Sequence, residues 1–374
     1  METRLVRSGK DLRTFLRFPW KVYDGDPNWV PPLVAEVRKK LDPARNPFFR
    51  HGEAACFLAC GANGPAGRVA AIVDRNHNER HGDKTGFFGM FECLNDPEAA
   101  RALVAAAAAW CGERGMDTLR GPMNLSMNDE CAFLLEGFDS PPAVMMTYNP
   151  PYYLDLMKAC GMVKAKDLYA FRLESDEAGK ARVAAALARI PSTGDFTFRS
   201  MTKAGLLDDA LKVGEIYNAG WRNNWGFVPW TPEELRYMAR ALVRVADLDL
   251  VLFAERAGRP VGFAFGLPNL NEVLIRMNGR LFPFGFLKFL AGRGSVRGIR
   301  AIAFGVLPEY MHTGLAYVLY DRLAKAIIAK GYTWCELSWQ LEDNEAVNRF
   351  AASLGAAPYK KYRIYETKIP NGGV

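Results

Sequence analysis

The sequence predicts an α/β (α+β) protein made of two like halves in tandem. Three observations point that way. The chain has 374 residues, too long for one ordinary core, so two domains of roughly 150–200 residues are expected. Strand-like and helix-like runs alternate through both halves. The halves also end alike. The first reads Asn149, a helix, Gly161 and the basic strand KAKDLYAFRL; the second reads Asn344, a helix, Gly355 and KKYRIYETK. The Asn-to-Gly separations are 12 and 11, and a supersecondary order repeated at near-equal spacing marks internal duplication. The expected domains are 1–175 and 196–374, joined by a helical linker over 176–195.

In the first half a strand is expected over 2–8, followed by an aromatic, Pro-rich stretch, FPWKVYDGDPNWVPPL (18–33). Strands follow over 54–61, 68–74 and 87–93. Asp96 then caps an Ala-rich helix whose first turn carries Pro97, a residue suited to a position where no N–H is needed. A strand over 118–121, an Asn/Met-rich irregular segment, a helix over 152–160 and a strand over 167–173 complete the half. The second half starts with a strand over 196–200 and helices over 206–218 and 232–245, the latter capped by Thr231. Strands over 248–254 and 261–267 turn around Ala257-Gly258-Arg259. After an apolar insertion come a buried strand (299–306), a helix (314–330), a strand (332–339), a helix (344–354) and a last strand (359–368).

Composition excludes several classes. Hydrophobic residues make up 49% and charged residues 24%, with a net charge of +7. That excess is too dilute for a dedicated nucleic-acid binder and suits an anionic cofactor or an anionic membrane surface. The seven cysteines are scattered with no CxxC, as expected of reduced, buried thiols in a cytoplasmic protein. His77 and His81 lie in an Asn- and Arg-rich stretch that reads as a solvated hairpin. With four histidines and no clustered thiols, no metal is expected. Residues 1–10 lack an apolar h-region, and no run of 18 apolar residues suggests a membrane span.

The segment 302–330 carries the chemistry. A buried strand ends at Val306 and Pro308, a short loop follows (Glu309, Tyr310, Met311, His312, Thr313), and a helix opens at Gly314-Leu315-Ala316. Proline stops the strand pairing onward. Small residues at the helix start let backbone approach a ligand, and the free N–H groups of the first turn suit a pyrophosphate. The same pattern also fits a plain strand–turn–helix with a close packing contact.

Here the sequence resembles the GNAT acyltransferase superfamily. Val306-Leu307-Pro308 and Gly314-Leu315-Ala316 match that family's Val-x-Pro and Gln/Arg-x-x-Gly-x-Gly/Ala at the right spacing, with Met311 where Gln or Arg is usual. Asn344-Glu345-Ala346 and Leu354-Gly355-Ala356 resemble the family's second motif. The resemblance implies two GNAT-like domains, each a mixed central sheet flanked by helices, and acyl-CoA as co-substrate at Val306, Pro308, Met311, His312, Thr313, Gly314, Leu315, Ala316 and Asn344. The corresponding first-half loop, ECLNDPE (92–98), has no Gly-x-Gly/Ala and carries three acids, which would repel a pyrophosphate. That half is expected to shape the acceptor site instead. The phrases FPWKVYDGDPNWVPPL, YNPPYYLDLMKACGM and NEVLIRMNGRLFPFG also resemble a bacterial group of long tandem GNAT-like proteins, in or near which the bacterial ceramide synthases fall.

Acyl transfer needs a base for the amine, polarisation of the thioester and a proton for the leaving thiolate. Glu272 and then Glu336 are the candidate bases. Tyr359 is the candidate acid, with Tyr320 beside it; each fits a packing or solvated role as well. Trp221, Asn224 and Trp225, in YNAGWRNNWGFVPW (217–230), either line an acceptor site or belong to the core. Residues 281–291 (LFPFGFLKFLA) hold seven Leu or Phe, Phe282 and Phe286 among them, and no acid occurs from 273 through 308. Such a segment suits a bilayer surface or a greasy substrate entrance, or a hairpin packed in the core. The leading expectation is transfer of a fatty acyl group to a long-chain lipid amine, giving a ceramide-type product, by a protein that is cytoplasmic or peripheral on the inner membrane. Acetylation of a small amine or protein N-terminus and a non-catalytic lipid- or CoA-binding role are the alternatives. A peptidyl transferase using aminoacyl-tRNA is a minor one. Acyl-chain length and oligomeric state are not legible.

Overall fold

The computed structural model describes residues 1–187, 195–243, 245–280 and 285–370. The chain divides into two compact units. Unit 1 holds Met1–Leu168, Met277–Gly285 and Lys360–Val374; unit 2 holds Tyr169–Arg276 and Phe286–Tyr359. This division differs from a single cut in the 176–195 linker. The strand expected to close the second half contributes most of its length to unit 1, and the last strand of the first half runs on into unit 2.

Unit 1 is built from β1 (Glu2–Leu5), α1 (Gly9–Arg17), α2 (Pro19–Val22), α3 (Val34–Lys40), β2 (Gly52–Gly61), β3 (Gly64–Asp74), α4 (Arg75–His81), β4 (Thr85–Cys93), α5 (Pro97–Gly112), β5 (Thr118–Gly121), β6 (Phe133–Glu136), α6 (Tyr153–Ala159) and the start of β7 (Val163–Glu174). Neighbours run β1-β2-β3-β4-β5, and the chain's last strand, β13 (Ala357–Lys368), pairs with β5 through Tyr365–Lys368 and with β6 through Lys361–Arg363. α5 lays Ala99, Ala100, Leu103 and Ala107 on this sheet with none of them exposed; the small side chains let the helix axis lie close.

Local capping explains two departures from the expected elements. The strand expected over 2–8 stops at Leu5 because Ser8 caps α1, its hydroxyl and the Asp11 carboxylate exchanging bonds with each other's backbone N–H. This reciprocal pair favours a helix start over further extension. The stretch expected as a solvated hairpin is helix α4, because Asp74 accepts from the N–H of Asn76 and His77 and Gly82 ends the turn at φ +64°. His77 is thereby buried, 1% exposed.

Unit 2 contains the end of β7, α7 (Glu177–Leu187), β8 (Thr197–Ser200), α8 (Leu206–Gly220), α9 (Pro232–Leu242), β9 (Val251–Arg256), β10 (Arg259–Pro268), α10 (Asn271–Leu274), α11 (Gly285–Gly292), β11 (Gly298–Val306), α12 (Leu315–Ala329), β12 (Trp334–Leu341) and α13 (Glu345–Ser353). The strand order is β7-β12-β11-β10-β9-β8, antiparallel from β8 through β11 and parallel between β11 and β12. α12 buries Leu315, Leu319, Leu323 and Ile327, a four-residue spacing that makes one apolar stripe. It covers the face of β10 that carries Gly262 and Gly266, while α8 covers the opposite face at Gly305 through Ile216.

β13 is pinned in unit 1 by charge. Asp167 on β7 receives Arg363 in a two-pronged pair at 2.7 and 2.9 Å and has Lys164 and Lys361 at 3.3 Å. Burial alone would raise the Asp167 carboxyl, but the Arg363 guanidinium and the two lysines outweigh it and hold it down at about 2. Asp167→Asn leaves three cations without their counter-charge and is expected to cost about 2–3 kcal/mol of stability, read by urea denaturation at pH 7. His77 behaves oppositely. Burial, partly offset by Asp83, lowers its imidazole to about 4. The unfolded chain therefore binds the proton more readily, and stability should be full above pH 6.5 and fall by on the order of 2–3 kcal/mol as pH drops to 4. His77→Phe should flatten that part of a stability-versus-pH curve.

Candidate active site

The site in unit 2 starts where two parallel strands part. β11 and β12 pair from Gly298 with Trp334 to Ala301 with Leu337, yet β11 continues to Val306 and β12 to Leu341. Beyond Ala301 the backbone of β11 finds other partners. The Phe304 carbonyl accepts the Trp221 indole N–H at 2.7 Å, while the other edge of β11 stays on β10, a ladder that Leu307 N–H extends by donating to Val261 O at 2.9 Å. Gly220, at the end of α8, lies so close to the Val306 carbonyl that a Cβ would stand 2.8 Å from it.

Past the fork, Pro308–Thr313 forms a 3-10 turn. Pro308, Met311, His312 and Thr313 are exposed, and the Thr313 hydroxyl turns back to Tyr310 O at 2.7 Å rather than capping the next helix. Gly314 takes φ +79° and no side chain caps α12. The first intrahelical donors are Tyr317 and Val318, both to Gly314 O, so the N–H groups of Gly314, Leu315 and Ala316 precede the ladder. Such donors, with the helix dipole, make a candidate anion cradle. Asn344 caps α13, accepting from Val347 N–H at 3.4 Å.

Successive residues on a strand face opposite sides, and at the fork those sides differ in chemistry. On the α12 side, Ala301, Phe304, Cys335 and Leu337 line an apolar cavity. On the other side lies a buried polar cluster. Glu336 is 0% and Arg300 3% exposed. The Ser338 hydroxyl donates to Glu336 Oε1 at 2.5 Å, Arg300 Nε donates to Ser338 Oγ at 2.9 Å, and Arg300 lies 3.8 Å from Glu336 Oε1. Tyr359, half-buried, donates its hydroxyl to Glu336 Oε2. Arg300 also sits over the Trp339 ring at 5.2 Å.

The sequence-named candidates therefore separate. Glu336 and Tyr359 meet directly. Glu272 sits in α10, where its two oxygens take the N–H groups of Arg297 and Gly298 at 2.8 Å each. It clips the entry to β11, so at about 3.3 Å per residue the strand's length, roughly 26 Å, separates it from the end of β11 at Val306. Tyr320 is on α12, stacked on Phe304 at 3.8 Å and near Phe350 at 4.8 Å. Burial raises its hydroxyl pKa, and its ring belongs to the cavity side. Trp221, stacked on Tyr217, and Asn224 form the turn beside the fork, where Asn224 N–H donates to Trp221 O at 2.8 Å; Trp225 is half-buried in the same turn. Phe286 is 44% exposed on α11; Phe282 lies outside the described residues. Sequence reasoning missed Arg300 and Ser338. The available signal was a lone arginine inside a run otherwise read as a buried apolar strand, a residue type almost never buried without a partner.

The equivalent junction of unit 1 is built differently. β4 and β5 pair only over Thr85–Phe87 and Thr118–Arg120, but the chain after β5 fills the space beyond. Met123 N–H donates to Phe88 O at 2.8 Å, and Met90 N–H donates to the Asn124 side chain at 2.8 Å. Asp96 caps α5, accepting from Glu98 and Ala99 N–H at 2.9 and 3.1 Å. A carboxylate of the chain itself occupies the place an anionic ligand would take. Among the described residues no group of three or more His, Cys, Asp or Glu is placed to hold a metal ion, and no helix is long and apolar enough to cross a membrane.

Comparison with known proteins agrees with this architecture. Protein YghO of Escherichia coli (strain K12) is 36% identical over 375 residues, covering 98% of this chain and 95% of its own. The bacterial ceramide synthase of Caulobacter vibrioides is 34% identical over 373 residues, covering 97% and 96%. No family model matches. Among solved structures, a tandem GNAT protein from the clavulanic acid biosynthesis pathway, without AcCoA, aligns over 100% of this chain and 99% of its own at TM-score 0.59 and 12% identity. A GCN5-related N-acetyltransferase from Sphaerobacter thermophilus aligns over 98% and 95% at TM-score 0.53 and 14% identity. At these identities the structural likeness establishes the fold.

Gly314→Val puts a β-branched residue into a left-handed conformation that costs about 1–3 kcal/mol. It should weaken binding of free CoA at least tenfold, measured by calorimetry. Asp96→Ala, which uncaps α5, should leave CoA affinity within about twofold while costing about 1 kcal/mol of stability.

Proposed function

We propose that this chain, which belongs to the tandem GNAT family of N-acyltransferases that includes the bacterial ceramide synthase, transfers a fatty acyl group from acyl-CoA to the amine of a sphingoid base. The observation that carries the acyl-CoA assignment is the uncapped N-terminus of α12 beside the parted strands β11 and β12, with Glu336 and Tyr359 hydrogen-bonded at that fork. The pyrophosphate of CoA binds the N–H groups of Gly314, Leu315 and Ala316. The exposed 3-10 turn that carries Met311, His312 and Thr313 flanks it. Unit 1 takes no CoA, because Asp96 and Asn124 already hold the corresponding donors.

The chemistry falls to the polar cluster. Tyr359 presents its oxygen to the incoming amine while its own proton is shared with Glu336. As the N–C bond forms, the amine proton passes to the Tyr359 oxygen and the tyrosine proton to Glu336. As the C–S bond breaks, the same path runs in reverse and delivers a proton to the thiolate, so the pair ends as it began. Arg300 and Ser338 hold the Glu336 carboxylate in place. Glu272, spent on two backbone N–H groups, takes no part. Trp221, Asn224 and Trp225 border the acceptor side of the fork.

The lipid acceptor rests on two supports. The Caulobacter relative is by name a ceramide synthase. α11 exposes Phe286, Leu287 and Leu290 at 44, 61 and 53% in a segment whose only charges are Lys288 and nearby Arg293 and Arg297. Apolar side chains in a basic frame suit peripheral contact with an anionic bilayer, where such a substrate resides.

The test is thiol release from palmitoyl-CoA or acetyl-CoA, with and without a sphingoid base in detergent micelles. Base-dependent release from palmitoyl-CoA, with an N-acyl product by mass, is expected. Release only from acetyl-CoA with small water-soluble amines would replace this reading with small-amine acetylation. Glu336→Gln should lower kcat by on the order of 10²–10⁴ with CoA affinity retained, and Tyr359→Phe should follow it.

A further inference from the structure

The cavity on the α12 side of the fork is unused by the chemistry above. It lies under α7 and α12 and holds roughly 60 Å³, room for about four to six water- or methylene-sized groups. Its wall is mostly apolar, with Phe304 from β11, Leu323, Ala324 and Ile328 from α12, and Cys335 and Leu337 from β12; Glu174, Ser175 and Lys180 also line it. Burial raises the Cys335 thiol to about 12, which keeps it a neutral part of that wall. Among the described side chains of α7, Gly179 and Lys180 line it.

Its position matters as much as its lining. Ala301 and Leu337 are the last paired residues of β11 and β12, and both line the cavity. Their neighbours Arg300, Glu336 and Ser338 point to the opposite face and form the polar cluster. An acyl group at the fork therefore meets an apolar hollow on one side and the proton-handling pair on the other.

From this we infer that the cavity receives the first carbons of the acyl chain, so that the chain leaves the fork toward α12 while the amine arrives from the Glu336–Tyr359 side. The inference rests on the acyl-CoA reading and deepens it: the donor site selects for chains beyond acetyl, with selectivity accruing over the first four to six carbons past the carbonyl. Longer chains pass out beneath α7, past Lys180.

Binding of free CoA, acetyl-CoA and octanoyl-CoA, measured by calorimetry without acceptor, tests this. Each buried methylene contributes on the order of fourfold, so the three to five accommodated beyond acetyl's methyl should make wild type bind octanoyl-CoA on the order of 10²- to 10³-fold tighter than acetyl-CoA. Ala324→Phe, which fills the cavity, should bring that ratio near one with free CoA binding unchanged; the smaller Ala324→Leu should reduce it partway and serves if the phenylalanine variant fails to fold. A wild-type preference that survives both substitutions overturns the cavity assignment and leaves the fatty-donor reading standing. No preference in wild type overturns both.

Discussion

Parallel strands are bound by slanted hydrogen bonds, and where they part, each backbone donor and acceptor needs another partner. β11 and β12 part after Ala301 and Leu337, and the rest of the site follows from how that gap is paid for. Trp221 takes the Phe304 carbonyl, and Gly220 lets α8 come against Val306. Held open in this way, the fork joins an apolar face to a polar one across a single layer of backbone. The anion cradle of α12 lies at its end.

Duplication makes the constraint easier to see, because the chain carries the same strand–turn–helix twice with opposite outcomes. In unit 1 the first turn of α5 is satisfied by Asp96 and the space past β5 by Met123 and Asn124. In unit 2 the cap is a glycine with no side chain to offer. One carboxylate against one glycine is the difference between the two helix starts.

Local signals were legible in the sequence. Thr231 and Asp96 as caps, Pro308 as a strand stop and Gly314 as the opening of a helix all act within a few residues of themselves, and the structure places each there. Ser8 and Asp74 were equally local but were hidden inside runs read as strand and hairpin. What depended on distant residues was not legible. The Glu336–Tyr359 bond joins residues 23 apart, and Arg300 reaches Ser338 across 38. Glu272 looked like a free carboxylate near a strand end, and only its bonds to Arg297 and Gly298 reveal a clip. The placement of β13 in unit 1 depends on Asp167 meeting Arg363 across 196 residues, which no period in the sequence encodes.

The most direct measurement is a crystal structure of the protein with CoA bound. One CoA per chain is expected, its pyrophosphate against the N–H groups of Gly314, Leu315 and Ala316 and its thiol end entering the fork at Ala301 and Leu337. CoA at the start of α5, or at both junctions, would contradict it.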